Sequence, residues 1–222
     1  MNRFDLSKKY GPKGFGLEIA GLHNPWPVLD PFTKVLQVDL FDHATLRKQY
    51  PEMCHKPFVD VHVLDDGNYL KTIADESMDF LFSSHVLEHL QNPIEGIKNW
   101  LRVLKKGRYA YLAVPLRDQT FDRNRVNTSL DHVIEEYKNP YQLHLGEHYR
   151  EYFRDVDRLR GVELDDRVYQ SLMDKPHIHF HCWDFIALEE FFFESQIILN
   201  GFNILEFMPA GHEALIVLQK FA

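Results

Sequence analysis

Cysteine is nearly missing from this 222-residue chain, which has only Cys54 and Cys182. Two thiols cannot build a disulfide framework, and they lack the spacing of a metal-binding pair, so a reducing, cytoplasmic setting is expected. Basic charge is also short. Lys and Arg number 25 against 33 Asp and Glu, giving a net charge of -8, and no basic field exists to gather a phosphate backbone. Nucleic acid is therefore not expected as a partner. Long apolar runs are absent as well: the opening MNRFDLSKKYG is not the apolar stretch of a signal peptide, and no later segment has the length of a membrane span. A soluble protein is expected. What the chain does have is 45% hydrophobic residues, enough to fill one sizeable core, and residues 1–222 are read as a single domain.

Short apolar runs recur at 15–20 (FGLEIA), 34–39 (KVLQVD), 58–63 (FVDVHV), 78–84 (MDFLFSS) and 109–115 (YAYLAVP). Helical patterns between such runs predict an α/β fold with a mostly parallel sheet. The clearest helix follows the fourth run, with Asn92 as cap, Pro93 at its first position and a stripe of Ile94, Ile97, Leu101 and Leu104; Lys105, Lys106 and Gly107 are expected to close it. Residues 116–182 are polar and aromatic and read as an insertion. Thr128 with Asp131 predicts one helix start there, and the spacing of Tyr149, Phe153, Val156 and Leu159 predicts another helix. Asp184 caps a last helix ending at Gly201, and residues 202–221 predict an antiparallel hairpin turning at Pro209, Ala210 and Gly211.

The stretch LEIAG at 17–21 runs from a buried strand into a glycine turn, and Asp39 closes the next strand about 20 residues later, where a carboxylate can accept both hydroxyls of a ribose. Asp65 and Asp66 follow the third run. SSHVLEHLQNP at 83–93 and RVLKKGRYAYLAVP at 102–115 come next in order. Together these motifs resemble the class I S-adenosylmethionine-dependent methyltransferases, in particular a subgroup with an L-E-I-x-x-x-x-N-P first motif and an S-H-V-L-E-H fourth motif. The resemblance covers nearly the whole chain outside the insertion. It implies a Rossmann-like seven-stranded, mostly parallel sheet with a C-terminal antiparallel hairpin and a helical insertion after strand five. Two departures stand out. Ala20 occupies the family's first glycine position, and Pro25, Pro27 and Pro31 leave a loop where the first crossover helix would be.

The resemblance implies S-adenosylmethionine as cofactor, held by Glu18, Ala20, Gly21, Asn24, Asp39, Leu40, Asp65, Asp66, Ser83, Ser84 and His85. It implies methyl transfer to a small-molecule or saccharide acceptor, at a hydroxyl oxygen, with the insertion 116–182 as an acceptor-binding lid. Arg117, Asp118, Asp122, Arg123, Arg125, His144, Glu147, His148 and Arg150 supply that lid's charge. His148 is the candidate base, and Glu88 and His89 face the acceptor. A non-catalytic binding domain of the same fold is the alternative, and a nicotinamide oxidoreductase would need three glycines after the first strand where one stands.

His85, Glu88 and His89 also spell H-x-x-E-H, an inverted zinc-protease motif that needs a long helix; Ser83 and Ser84 before it and Asn92-Pro93 after it leave no room for one. Some related O-methyltransferases have E-x-x-E-H here and bind a divalent ion, but His85 replaces the first acid. His177, His179 and His181 alternate and would share one face of a strand, yet only Cys182, on the other face, stands near enough in sequence to complete a site. No metal is assigned. Phe191, Phe192 and Phe193 cannot all face one core, so at least one should meet the insertion or the second subunit of a homodimer.

Overall fold

The computed structural model describes residues 1–53, 55–140 and 144–221. Cys54 lies outside the described residues, and Cys182 is a buried free thiol. Seven strands form one sheet: β1 (Phe15–Ile19), β2 (Lys34–Asp39), β3 (Val63–Leu64), β4 (Met78–Ser84), β5 (Leu104–Pro115), β6 (Phe202–Ala210) and β7 (Glu213–Lys220). Their order is β3-β2-β1-β4-β5-β7-β6. The first five pair in parallel, and β7 runs antiparallel to both β5 and β6. The Rossmann-like arrangement and its terminal hairpin are as the sequence predicts.

Alternation along the central strands sends side chains to two cores. Leu81, Ala110, Leu112 and Val114 face one side, where α3 (Pro93–Val103), α4 (Leu130–Lys138) and α7 (Phe185–Leu199) cover them. Phe80, Phe82, Tyr111, Leu215 and Val217 face the other, packed with Leu6 of α1 (Arg3–Tyr10) and with Trp26 of the proline-rich loop. No helix separates β1 from β2. Trp26 does the packing a crossover helix would do, stacked on Phe82 at 5.4 Å.

Several boundaries differ from the sequence reading. The third strand is two residues at 63–64 rather than a run over 58–63, because His62 Nδ1 accepts the Gln37 backbone N–H at 3.0 Å and displaces the ladder there. The helix from Pro93 stops at Val103, and Leu104 pairs with Met78 as the first residue of β5. Five residues of β5 then oppose two of β4, and Gly107, at φ 71°, sits in that bulge instead of capping a helix. Ser129, not Thr128, caps α4 by accepting from His132 N, while Thr128 Oγ1 accepts from Cys182 N. In the insertion α5 (Leu145–Asp155) ends before Val156 and Leu159. A further helix, α6 (Gly161–Asp174), packs on it around Tyr149, Phe153, Leu164 and Val168. Two more helices escaped the sequence reading, α1 and α2 (His43–Gln49). Phe191 and Phe192 are fully buried while Phe193 is 52% exposed.

Candidate active site

The strand order reverses between β1 and β4, and the crevice past their carboxyl ends is where open α/β sheets take ligands. A cavity of about 1530 Å³ lies there. That exceeds the roughly 300–1,000 Å³ of a single small-ligand pocket and leaves room for two molecules side by side.

The first wall is the loop after β1. Ala20 N donates to Val38 O at 2.8 Å, which ties the bend to the end of β2. Ala20 (φ 51°) and Leu22 (φ 45°) both adopt the left-handed conformation, so Ala20 occupies a glycine-type backbone at some strain. Gly21 is needed for a different reason: an added Cβ would sit 2.6 Å from Gln37 Oε1. Beneath it Glu18, 1% exposed, accepts from Trp26 N at 2.6 Å and from Gln37 Nε2 at 2.7 Å. Burial pushes the Glu18 carboxyl up in pKa in spite of those two donors. Glu18 is off the cavity wall, so it braces the loop from below, whereas Ala20, Gly21 and Asn24 line the cavity. Asn24 N closes the turn on Gly21 O at 3.0 Å.

Asp39 and Leu40 stand on the next part of the wall. Asp39 Oδ1 accepts from Phe41 N at 3.1 Å, and burial raises its pKa above the usual carboxylate range. The two acidic residues after β3 part company. Asp65 turns away, accepting from Thr72 N and Thr72 Oγ1 at 2.6 Å and from Asp66 N at 2.8 Å. Asp66 reaches the cavity beside Asn68. Similarly, Ser83 is buried within β4 at 1% exposure, while Ser84 and His85 face the open space.

His85 has a left-handed backbone, φ 55°, and its N–H donates to Ala113 O at 2.9 Å. Such a conformation for a bulky residue persists only where its surroundings impose it. His85 Nε2 lies 2.9 Å from Glu213 Oε2, and Arg3 grips the same carboxylate through Nε at 3.0 Å and Nη2 at 2.6 Å. Burial alone would raise the Glu213 pKa, but the His85 and Arg3 hydrogen bonds outweigh it and hold the group at about 2. Neither Arg3 nor Glu213 stands out in the sequence, because their partners are brought together across 210 and 128 residues of chain. Ser7 completes the closure: Trp26 Nε1 donates to its Oγ at 3.0 Å, and that Oγ donates to Pro27 O at 2.6 Å.

Leu87–His89 form a single 3-10 turn, so the H-x-x-E-H residues share no α-helical face and the protease geometry is absent. His89 lines the cavity and its Nδ1 is 2.8 Å from Ile178 O; burial, then His179, lowers its pKa to about 3. Glu88 is 1% exposed with neither carboxylate oxygen hydrogen-bonded among the described residues, and burial raises its pKa. It stands behind His89, off the cavity wall.

His148 does not reach the cavity. It is 4% exposed on α5, bonded to Glu136 Oε1 at 2.7 Å and to Phe180 O at 2.9 Å, so the geometry withdraws it as the base. None of the charged residues singled out in the insertion lines the cavity. Arg125 and Asp122 are buried as an ion pair at 2.9 Å, and Arg125 also donates to the carbonyls of His179 and Phe180. Among the described residues of the insertion, only Asp174, Lys175, Pro176, His177 and Phe180 stand on the wall. His177, His179 and His181 lie outside any strand and separate. The first stands near Asp39, the second is 2.6 Å from Asp122 Oδ2, and the third enters a different cluster.

Residues 21–112 match the family model described as a methyltransferase domain. A candidate methyltransferase from Bacillus halodurans is similar in fold, with a TM-score of 0.56 at 14% identity over 100% of this chain and 99% of that one. A SAM-dependent methyltransferase from Aquifex aeolicus gives 0.52 at 11% identity over 100% and 90%. No curated protein sequence matches the chain. At such identities the solved structures speak for the fold alone, a Rossmann-like sheet, and residues 21–112 are the part of it that is similar to a methyltransferase domain.

Proposed function

We propose that this protein methylates a hydroxyl oxygen of a small-molecule or saccharide acceptor in the cytoplasm. The observation that carries this reading is the His85–Glu213 pair, 2.9 Å apart, on the same cavity wall as the Ala20–Gly21 bend and Asp39. A hydroxyl is a weak nucleophile, and a histidine oriented by a carboxylate is the group that activates one.

In this reading the Asp39 carboxylate accepts the ribose hydroxyls of the donor, Asp66 meets the adenine amino group, and Leu40 packs between them. Ala20, Gly21 and Asn24 follow the methionine part. S-adenosylmethionine supplies a methyl group already activated on a sulfonium, so the protein's work is alignment and exclusion of water. Glu213 holds the His85 proton on Nε2, which leaves the Nδ1 lone pair to take the acceptor's proton. Arg3 keeps Glu213 ionised, and His89 offers a second, neutral imidazole to the acceptor. Glu18 and Ser83 support this wall from beneath. The segment 174–180 acts as the lid over both ligands.

Asp39→Ala tests the donor half. Isothermal titration with S-adenosylhomocysteine should give a dissociation constant at least about tenfold weaker, the scale of losing charge-assisted hydrogen bonds. An unchanged constant in a folded variant would remove the ribose assignment. A panel of hydroxylated acceptors, saccharides included, tests the other half: binding of the donor with no turnover on any of them would favour a non-catalytic role. The exposed stripe of Ile186, Phe193 and Ile197 on α7 supports a homodimer, which sedimentation equilibrium checks.

A further inference from the structure

Four side chains meet inside the insertion, away from the cavity. His132 and Glu136 are one turn apart on α4 and face the same way. His148 comes from α5, and His181 from the segment that leads into α7. One nitrogen or carboxylate oxygen of each lies within 4.8 Å of all the others. His132 Nε2 and His148 Nε2 are 3.2 Å apart, His132 Nε2 and Glu136 Oε1 3.3 Å, and His181 Nε2 and Glu136 Oε2 3.4 Å. A tetrahedral zinc site with bonds of about 2.0–2.2 Å has ligand-to-ligand edges of about 3.3–3.6 Å. The His148–Glu136 edge, at 2.7 Å to Oε1, must lengthen to match, and the His181 contact is to the other carboxylate oxygen, Oε2, so the Glu136 carboxylate turns to present one oxygen to the ion.

The cluster is buried and its polar atoms are short of partners. The Glu136 and His181 side chains are 0% exposed, His148 5% and His132 26%. Glu136 Oε2 and both ring nitrogens of His181 have no hydrogen bond among the described residues. Buried groups of this kind cost free energy unless something else occupies the centre. The surroundings also choose the atom that faces inward. His148 Nδ1 faces Phe180 O at 2.9 Å, so its proton belongs there and the Nε2 lone pair points at Glu136 and His132. Lone pairs of imidazole and carboxylate converging on one point are the complement of a cation.

We propose that His132, Glu136, His148 and His181 hold a zinc-class divalent cation that staples α4, α5 and the segment entering α7 together. Three imidazoles and one carboxylate suit zinc in four-coordinate geometry. Because none of the four lines the cavity, the ion's role is structural: it fixes the short segment that carries His177 and Phe180 to the cavity wall.

The test is metal analysis of tag-free full-length protein. Mass spectrometry of the purified chain should find about one equivalent of zinc, and cobalt substitution should give the intense visible bands of tetrahedral coordination. After stripping with a chelator, added Zn2+ at a hundredfold excess over its dissociation constant should raise Tm by roughly 5–10 °C. Glu136→Gln and His132→Asn should abolish both the stoichiometric metal and the Tm response. His132→Asn changes the most exposed of the four side chains and is the variant expected to stay folded. His179→Asn, which alters the neighbouring Glu88–His89–His179 group, should leave both unchanged. Wild-type protein with less than about a tenth of an equivalent of metal and no Tm response to zinc overturns the proposal. So does undiminished zinc in the His132 and Glu136 variants.

Discussion

Glu213→Gln tests how the N-terminal helix and the candidate base are held together. The wild-type carboxylate, 8% exposed, receives two hydrogen bonds from Arg3 and one from His85. Its folded pKa of about 2 stands against 4.5 in the unfolded chain. That difference corresponds to about 3 kcal/mol of stability. The sign follows from linkage: the folded pKa is depressed, so the stabilisation is fully present above pH 4.5 and is lost as pH falls toward 2. Glutamine preserves the shape but leaves the Arg3 guanidinium without its counter-charge, and a loss of about 3 kcal/mol at pH 7 is expected. Urea denaturation of wild type and variant at pH 7, 5, 4 and 3 measures it. The difference between the two proteins should be largest at pH 7 and shrink steadily below about pH 4.5. A difference under about 0.5 kcal/mol at pH 7, or one that does not change with pH, would refute the assignment.

Other substitutions probe the loop and the transfer end. Ala20→Gly relieves a left-handed alanine and should raise stability by about 0.5–1 kcal/mol in the same assay. Gly21→Ala puts a Cβ against the pinned Gln37 side chain and should cost about 1–3 kcal/mol while weakening donor binding, read by denaturation and titration calorimetry. His85→Asn keeps a residue that tolerates the left-handed backbone but removes the proposed base, so kcat should fall by about a hundredfold or more with the donor constant little changed in steady-state kinetics. Trp26→Ala empties the space against Phe82 and should lower stability by about 3–5 kcal/mol by thermal or urea unfolding.

The alternation of apolar runs, the proline-rich first connection and the order of acidic strand ends could all be read from the chain, because each is written in neighbouring residues. Parallel crossovers of fixed hand then place Asp39 and the Ala20–Gly21 bend at one end of the sheet without further information. Boundaries were less legible where a side chain competes with the backbone, as His62 does for the Gln37 N–H. The choice between Asp65 and Asp66 rested on Thr72, seven residues beyond Asp65, which draws one carboxylate away from the cavity. Side-chain partnerships across the fold were decided by tertiary structure alone. His85 meets Glu213 and Arg3 only because β7 enters beside β5 and α1 closes over both. His148 carried the polarity expected of a base, yet the placement of α5 aims it at His132 and Glu136 of α4, in a cluster away from the cavity. Periodicity records which face of an element is apolar; which distant polar groups share a buried point depends on how those faces dock.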